Sequence, residues 1–245
     1  FLQTRQRARI DRLILSHGDK DHAGAAERLV RAIDVRNIMS GEPWRVGVPS
    51  RACQAGDSWR WDGVDFEILH PKASHRRDGN NASCVLRIAN AHSVALLTGD
   101  IEATAEYELI ASAAGRLASD LVVAPHHGSA TSSSQAFVAA ARPSYVVYTA
   151  GWANRYGFPN EGVDRRWQDI GARALNTASA GTVSFAVDHR SGVSPPHCQR
   201  VHARRFWWHV GGSADACHPV SSGHPTEPVA MDSPIQRRSS EPQPP

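Results

Sequence analysis

The chain has no apolar run approaching the roughly 20 residues needed to cross a bilayer, no CxxC pair among its four cysteines, no internal repeat and no N-terminal leader pattern. The first absence excludes a helical membrane span within these 245 residues. The second gives no sign of a zinc cage or a disulfide framework, and Cys84, inside an apolar strand pattern, reads as a core residue. The third excludes a repeat architecture. Charge of either sign is not in large excess. Lys and Arg number 27 against 24 Asp and Glu, a net charge of +3. That balance is compatible with a polyanionic partner without requiring one. Residue 1 is Phe, not Met, and the first element is already under way, so a longer parent protein is expected. A hydrophobic content of 41% supports a buried core, in one sizeable domain or two small ones.

What is present is a mixture of short strands and helices. Residues 12–16 read as a buried strand, 23–33 as a helix with Ala26, Leu29, Val30 and Ile33 on one face, and 35–39 as a strand. Asp62-Gly63 is a hairpin signal between strands at 58–61 and 64–69. A second hairpin turns near Asn90-Ala91, between 84–88 and 94–98. Further strands are expected at 121–123, 145–148, 182–187 and 202–208, and helices at 102–112, 131–141 and 162–170. Residues 211–245, rich in Pro, Ser, Gly and His, have the composition of a disordered tail.

Three polar clusters each follow an apolar strand. The first is Ser16-His17-Gly18-Asp19-Lys20-Asp21-His22, after Leu13-Ile14-Leu15. The second is Asp100, after Leu96-Leu97-Thr98-Gly99, and the third is His126-His127, after Leu121-Val122-Val123-Ala124-Pro125. A lone Asp after Gly is usually a turn residue, and adjacent histidines are usually surface groups. The first run differs, because two imidazoles and two carboxylates gathered at one strand exit repel and desolvate one another without a cation. One sheet edge gathering all three clusters supplies ligands for two divalent ions, which roughly 3.5–4 Å apart activate water and clamp a phosphate. Asp-rich sites suit Mn²⁺ or Mg²⁺, and the imidazoles keep Zn²⁺ open.

The first run resembles the HxHxDH signature of the metallo-β-lactamase fold, with Asp19 where the second His usually stands. In that variant form it is similar to the C-terminal domain of the ComEC-type DNA-uptake channels of natural competence. Asn80-Asn81-Ala82-Ser83-Cys84-Val85-Leu86, Leu96-Leu97-Thr98-Gly99-Asp100-Ile101-Glu102, Pro125-His126-His127-Gly128-Ser129, Asn154-Arg155-Tyr156-Gly157 and Arg205-Phe206-Trp207-Trp208 fit the same branch. The resemblance spans about residues 5–210 and implies an α+β fold. This is the αββα sandwich, here lacking its first strands, in a domain over 1–210. Two departures stand out: Gly24-Ala25 replaces the usual Gly-Gly, and Phe158 replaces the usual His before Pro159.

The resemblance implies a metal-dependent phosphodiester hydrolase, a nuclease of DNA uptake. Its metal ligands are His17, Asp19, Asp21, His22, Asp100 and His126, with Asp100 bridging; Asp21 and His127 have catalytic roles. The histidine of the pair not used as a ligand either protonates the leaving oxygen, contacts phosphate or orients a neighbour. Asn81, Ser83 and Ser129, with Asn80, are candidates for lining the substrate mouth, though each is also an ordinary turn or helix-capping residue. Trp44, Trp59, Trp61 and Trp152 are candidates for stacking bases or for packing. The partners implied are single-stranded DNA and the channel portion of the parent, which holds this domain at the outer face of the membrane. The alternatives are a fold relative acting on a small phosphodiester or thioester, and a non-catalytic module binding DNA or a partner.

Overall fold

The computed structural model describes residues 8–72, 78–188, 192–202 and 217. From β1 (Arg9–Ile10) the chain passes through β2 (Leu13–Leu15), α1 (Lys20–Ala23), α2 (Ala26–Ala32), β3 (Asp34–Val35), β4 (Ile38–Ser40) and β5 (Arg51–Ala52). β2, β4 and β5 pair in parallel, and β1 pairs with β3. Next come β6 (Ser58–Trp61), β7 (Val64–His70), β8 (Val85–Ala89) and β9 (Val94–Leu97), an antiparallel meander. The helices α3 (Ala103–Leu117), α4 (Gln135–Ala141) and α5 (Glu161–Asp169) then alternate with β10 (Leu121–Val123), β11 (Tyr145–Tyr148) and β12 (Arg173–Asn176). These strands add in parallel beyond β9, giving a seven-stranded sheet ordered β12-β11-β10-β9-β8-β7-β6.

Period-two alternation sets the layers. Leu13 and Leu15 of β2 pack with Ala26 and Val30 of α2, whereas Ile14 points the other way. Ile14 joins Met39 of β4 and meets Ile68, Leu86 and Ile88 of the larger sheet. On that sheet's opposite face, Leu69, Val85, Leu96, Val122 and Val146 pack against Leu109 of α3, Phe137 of α4 and Trp167 of α5. Helix, sheet, sheet and helix therefore stack in that order, the α+β sandwich expected.

The cysteines correct one expectation. Cys53 and Cys84, 31 residues apart, form a disulfide with Cα atoms 5.9 Å apart, and Cys198 pairs with Cys217. The first bond lies in the layer between the sheets and ties the segment after β5 to the start of β8. Sheet stacking brings those positions together, which is why sequence spacing carries no trace of the bond. Closing a loop of that length constrains the unfolded chain, so a Cys53→Ala/Cys84→Ala variant is expected to lose about 3 kcal/mol of stability. A lowered urea midpoint, with a steeper slope because the uncrosslinked chain unfolds to a more expanded state, checks this.

The expected helix at 23–33 is two helices, and α1 begins inside the polar run, at Lys20. The hairpin at Asp62-Gly63 forms as expected, with φ of 47° and 80°. The strand expected at 182–187 is two short pieces, Val183–Ser184 and Val187–Asp188. After α6 (Thr177–Ala180), His202 ends α7 (Gln199–His202) rather than starting a strand. Residues 203–208, with Arg205-Phe206-Trp207-Trp208, and the tail at 211–245 apart from Cys217, lie outside the described residues. No described helix is long and apolar enough to cross a membrane.

Candidate metal centre

The strand exits of β2, β9 and β10 converge on one cleft. After β2, His17 is fully buried and Asp19 occupies the N-cap position of α1, its carbonyl accepting from the amides of His22 and Ala23. The first turn of α1 then carries Asp21 and His22 side by side. After β9, Gly99 takes φ +57°, and a Cβ there would lie 2.8 Å from Ser83 and 2.9 Å from Ser16, so only glycine lets Asp100 approach. After β10, His126, His127 and Gly128 are three consecutive residues at positive φ, 46°, 55° and 85°. That backbone sends the two imidazoles to different places.

His127, with Asp21, His22 and Asp100, offers ligand atoms that all lie within 4.8 Å of one another. Oδ2 of Asp100 is 3.2 Å from His22 Nε2, 3.4 Å from His127 Nε2 and 4.0 Å from His17 Nε2. Oδ2 of Asp21 is 3.4 Å from His127 Nε2, and Oδ2 of Asp19 is 3.6 Å from His17 Nε2. Asp100 thus stands between two half-sites, one with Asp21, His22 and His127 and one with His17 and Asp19. His17 Nε2 is a buried polar atom with no hydrogen-bond partner, aimed into the second.

The remote nitrogen of each of these imidazoles meets a hydroxyl. His17 Nδ1 is 3.1 Å from Ser16 Oγ and 3.3 Å from Ser83 Oγ, His22 Nδ1 is 2.9 Å from Ser16 Oγ, and His127 Nδ1 is 3.0 Å from Thr149 Oγ1. The tautomer donating Nδ1–H to those oxygens would leave each Nε2 lone pair facing the cleft, the arrangement that orients histidine toward a metal. Burial, then the neighbouring His22, lowers the His17 pKa and keeps that imidazole neutral. Hydrogen bonding to Asp100 raises the His127 pKa against the effect of burial. Burial opposes ionisation of Asp100, yet His127 and His22 together hold its carboxyl well below the usual range. Three imidazole nitrogens, one of them buried and without a hydrogen-bond partner, together with three carboxylates fit divalent cations.

His126 lies outside this group. Its Nδ1 is 3.4 Å from Glu102 Oε1 and 3.3 Å from Thr131 Oγ1. Of the pair, His127 sits with Asp21, His22 and Asp100, while His126, expected above among the ligands, lines the same cleft apart from that cluster. The expected mouth residues are also redistributed. Ser83 is buried, its Oγ accepting from the Asp100 amide at 3.0 Å, so it supports the ligands. Asn81 is held by Glu102, whose amide donates to its Oδ1, and Ser129 bonds to Thr131. Asn80 reaches the cleft, a cavity of ≈ 760 Å³ also lined by Asp19, Asp21, His22, His127, Thr149, Asn154, Tyr156 and Phe158. Trp59 instead stacks on Phe66 at 5.2 Å, in the hairpin.

Two groups were not singled out from sequence. Glu102 gathers Asn80, Asn81, Thr131 and His126 around one carboxylate. Glu42, fully buried, accepts from the amides of Gly18 and Gly79 at 2.8 Å each and from Arg45, whose other terminal nitrogen donates to Asp19 Oδ1 at 2.9 Å. Glu42 exits β4 as the ligands exit their strands, and that shared position was the available signal.

Residues 1–152 match the family described as Metallo-beta-lactamase superfamily. The chain is 39% identical over 200 residues to Competence protein ComA of Neisseria gonorrhoeae, covering 82% of this chain and 28% of that one. It is 34% identical over 175 residues to Recombination protein 2 of Haemophilus influenzae, covering 71% of this chain and 22% of that one. The chain therefore spans about a quarter of the length of these relatives. Among solved structures it is similar to the metallo-beta-lactamase fold protein YhfI of Bacillus subtilis, at 14% identity and a TM-score of 0.42, covering 68% of this chain and 74% of that one.

Proposed function

The chain belongs to the metallo-beta-lactamase superfamily, and from that membership we propose that its cleft hydrolyses phosphodiester bonds of DNA, as a nuclease working in DNA uptake. The observation that carries this reading is the position of Asp100 between two sets of ligands, with the lone pair of buried His17 Nε2 unclaimed. Divalent ions, when bound, supply Lewis-acid polarisation of a phosphoryl oxygen and an activated water. Asp21, His22 and His127 would hold one, His17 and Asp19 the other, and Asp100 both. The chain's own groups do the remaining work. Ser16, Ser83 and Thr149 fix the imidazole orientations. His126, set against Glu102, is the proton donor to the departing oxygen, its ring oriented by that carboxylate. Asn80 lines the cleft and offers an amide to the substrate.

Relatives named for competence and recombination support DNA as the polymer and a membrane-associated parent as the setting. The two disulfides support a domain exposed to the oxidising side of that membrane, since such bonds persist outside the reducing cytosol.

The test is cleavage of a fluorescent single-stranded oligonucleotide by the metal-stripped chain, supplemented in turn with Mn²⁺, Mg²⁺ and Zn²⁺. Cleavage that requires added ion and stops on chelation is expected. No cleavage with any of the three, alongside turnover of a small thioester, would overturn the assignment.

A further inference from the structure

One wall of the cleft is a column of rings. Phe158 stacks on His127 with centroids 6.1 Å apart and planes at 23°, and Tyr156 stacks on Phe158 at 5.4 Å and 19°. The column starts on a candidate ligand and runs outward to Tyr156, which remains 64% exposed although it lines the cleft. The loop that carries it is preformed. Asn154 closes it from both sides, its Oδ1 accepting from the Phe158 amide at 2.8 Å and its Nδ2 donating to the Phe158 carbonyl at 2.9 Å. Gly157, at φ +67°, turns the chain between Tyr156 and Phe158. Arg155 holds its guanidinium 4.9 Å from the Tyr156 ring centroid and donates to the phenol oxygen.

A rigid, exposed aromatic face beside a cation, one step out from groups suited to phosphate, matches what an unpaired nucleotide presents: a flat π-surface flanked by negative charge. We infer that Tyr156, backed by Phe158 and flanked by Arg155, is a nucleobase-stacking subsite for the nucleotide next to the phosphate held in the cleft. The inference rests on the nuclease reading and narrows it. A base can lie on Tyr156 only when it is free of its complement, so the subsite selects single strands over duplex. Phe158 supports the platform, filling the space between Tyr156 and both histidines, since its ring also meets His126 at 5.9 Å.

The experiment measures binding by fluorescence anisotropy in chelator, where nothing is cut, with three probes: labelled octathymidylate, an abasic octamer with the same phosphates, and a hairpin duplex. The intact chain is expected to bind octathymidylate about tenfold or more tightly than the abasic strand, the scale of one stacked base. Tyr156→Ala should erase that difference, and Tyr156→Phe, which keeps the ring, should retain it within about twofold. If Tyr156→Ala prefers octathymidylate over the abasic strand as strongly as the parent does, the subsite is wrong while the nuclease reading stands. If the parent itself binds octathymidylate no more tightly than the abasic strand, or binds neither, the subsite is wrong, and the nuclease reading is decided by the metal-dependent cleavage assay alone.

Discussion

Replacing Asp100 with alanine is expected to abolish both metal retention and hydrolysis, lowering any ion-dependent cleavage by on the order of 10³-fold or more. One oxygen of this carboxylate lies 3.2, 3.4 and 4.0 Å from three imidazole nitrogens, whereas Asp21 reaches His22 and His127 and Asp19 reaches His17, so neither replaces it in both half-sites. Removing a charge that organises two cations forfeits several kcal/mol of transition-state stabilisation, and each 1.36 kcal/mol is about tenfold in rate. Metal content after dialysis, by atomic emission, and cleavage of a labelled single strand give two independent readings. Asp100→Asn should behave like the alanine variant in both, because the amide keeps the shape and loses the charge. A variant that retains its ions and cuts within tenfold of the parent would remove Asp100 from the centre of the site.

The second large effect lies at Glu42. Its carboxylate joins the Gly18 turn of the metal run to the Gly79 turn before Asn80, and through Arg45 it fixes Asp19. Glu42→Ala leaves two amide donors without partners and frees a guanidinium beside a candidate ligand. The expected loss is about 3–5 kcal/mol, from two unsatisfied amides and the broken charge-assisted bonds. Metal affinity should fall with it, by roughly 10–100-fold, as when a ligand-orienting group is removed. Burial opposes ionisation of Glu42, but the Gly79 and Gly18 amides and Arg45 outweigh it and depress its pKa. A depressed carboxyl pKa contributes stability that is present above the unfolded value of about 4.3 and is lost as pH falls through the folded value. Urea midpoints across that acid range should therefore drop for the parent and drop less steeply for Glu42→Gln, which carries no charge to titrate. Equal slopes for the two proteins would exclude Glu42 as a source of acid sensitivity.

Much of the site was legible because all three ligand clusters leave strands, and apolar strands announce themselves by composition. His17, Asp19, Asp21, His22 and Asp100, which the structure gathers around one cleft, stand out that way, and so does the hairpin at Asp62-Gly63. Where the sequence fell short, the deciding contact was remote or the backbone unusual. Cys53 meets Cys84 only because two sheets stack. Glu102 reads as an ordinary acid before a helix until Asn80, Asn81 and Thr131 are seen around it. Both neighbouring histidines line the cleft, and nothing in the sequence marks which one lies against Asp21, His22 and Asp100; the left-handed backbone at 126 and 127 separates them. Tyr156 stands out only within the Asn154-Arg155-Tyr156-Gly157 resemblance, because nothing in that run shows that its ring stacks on another.

Those left-handed histidines set two kinds of improvement against each other. Each β-carbon held at positive φ costs about 1–2 kcal/mol relative to the right-handed form, a penalty glycine does not carry. A library screened for heat tolerance alone would be drawn toward glycine at 126 and 127, relaxing the turn and deleting the imidazoles together. On the roles proposed for those imidazoles, turnover and hardiness are opposed at two adjacent codons, and a stabilised form of this protein has to gain its extra degrees elsewhere.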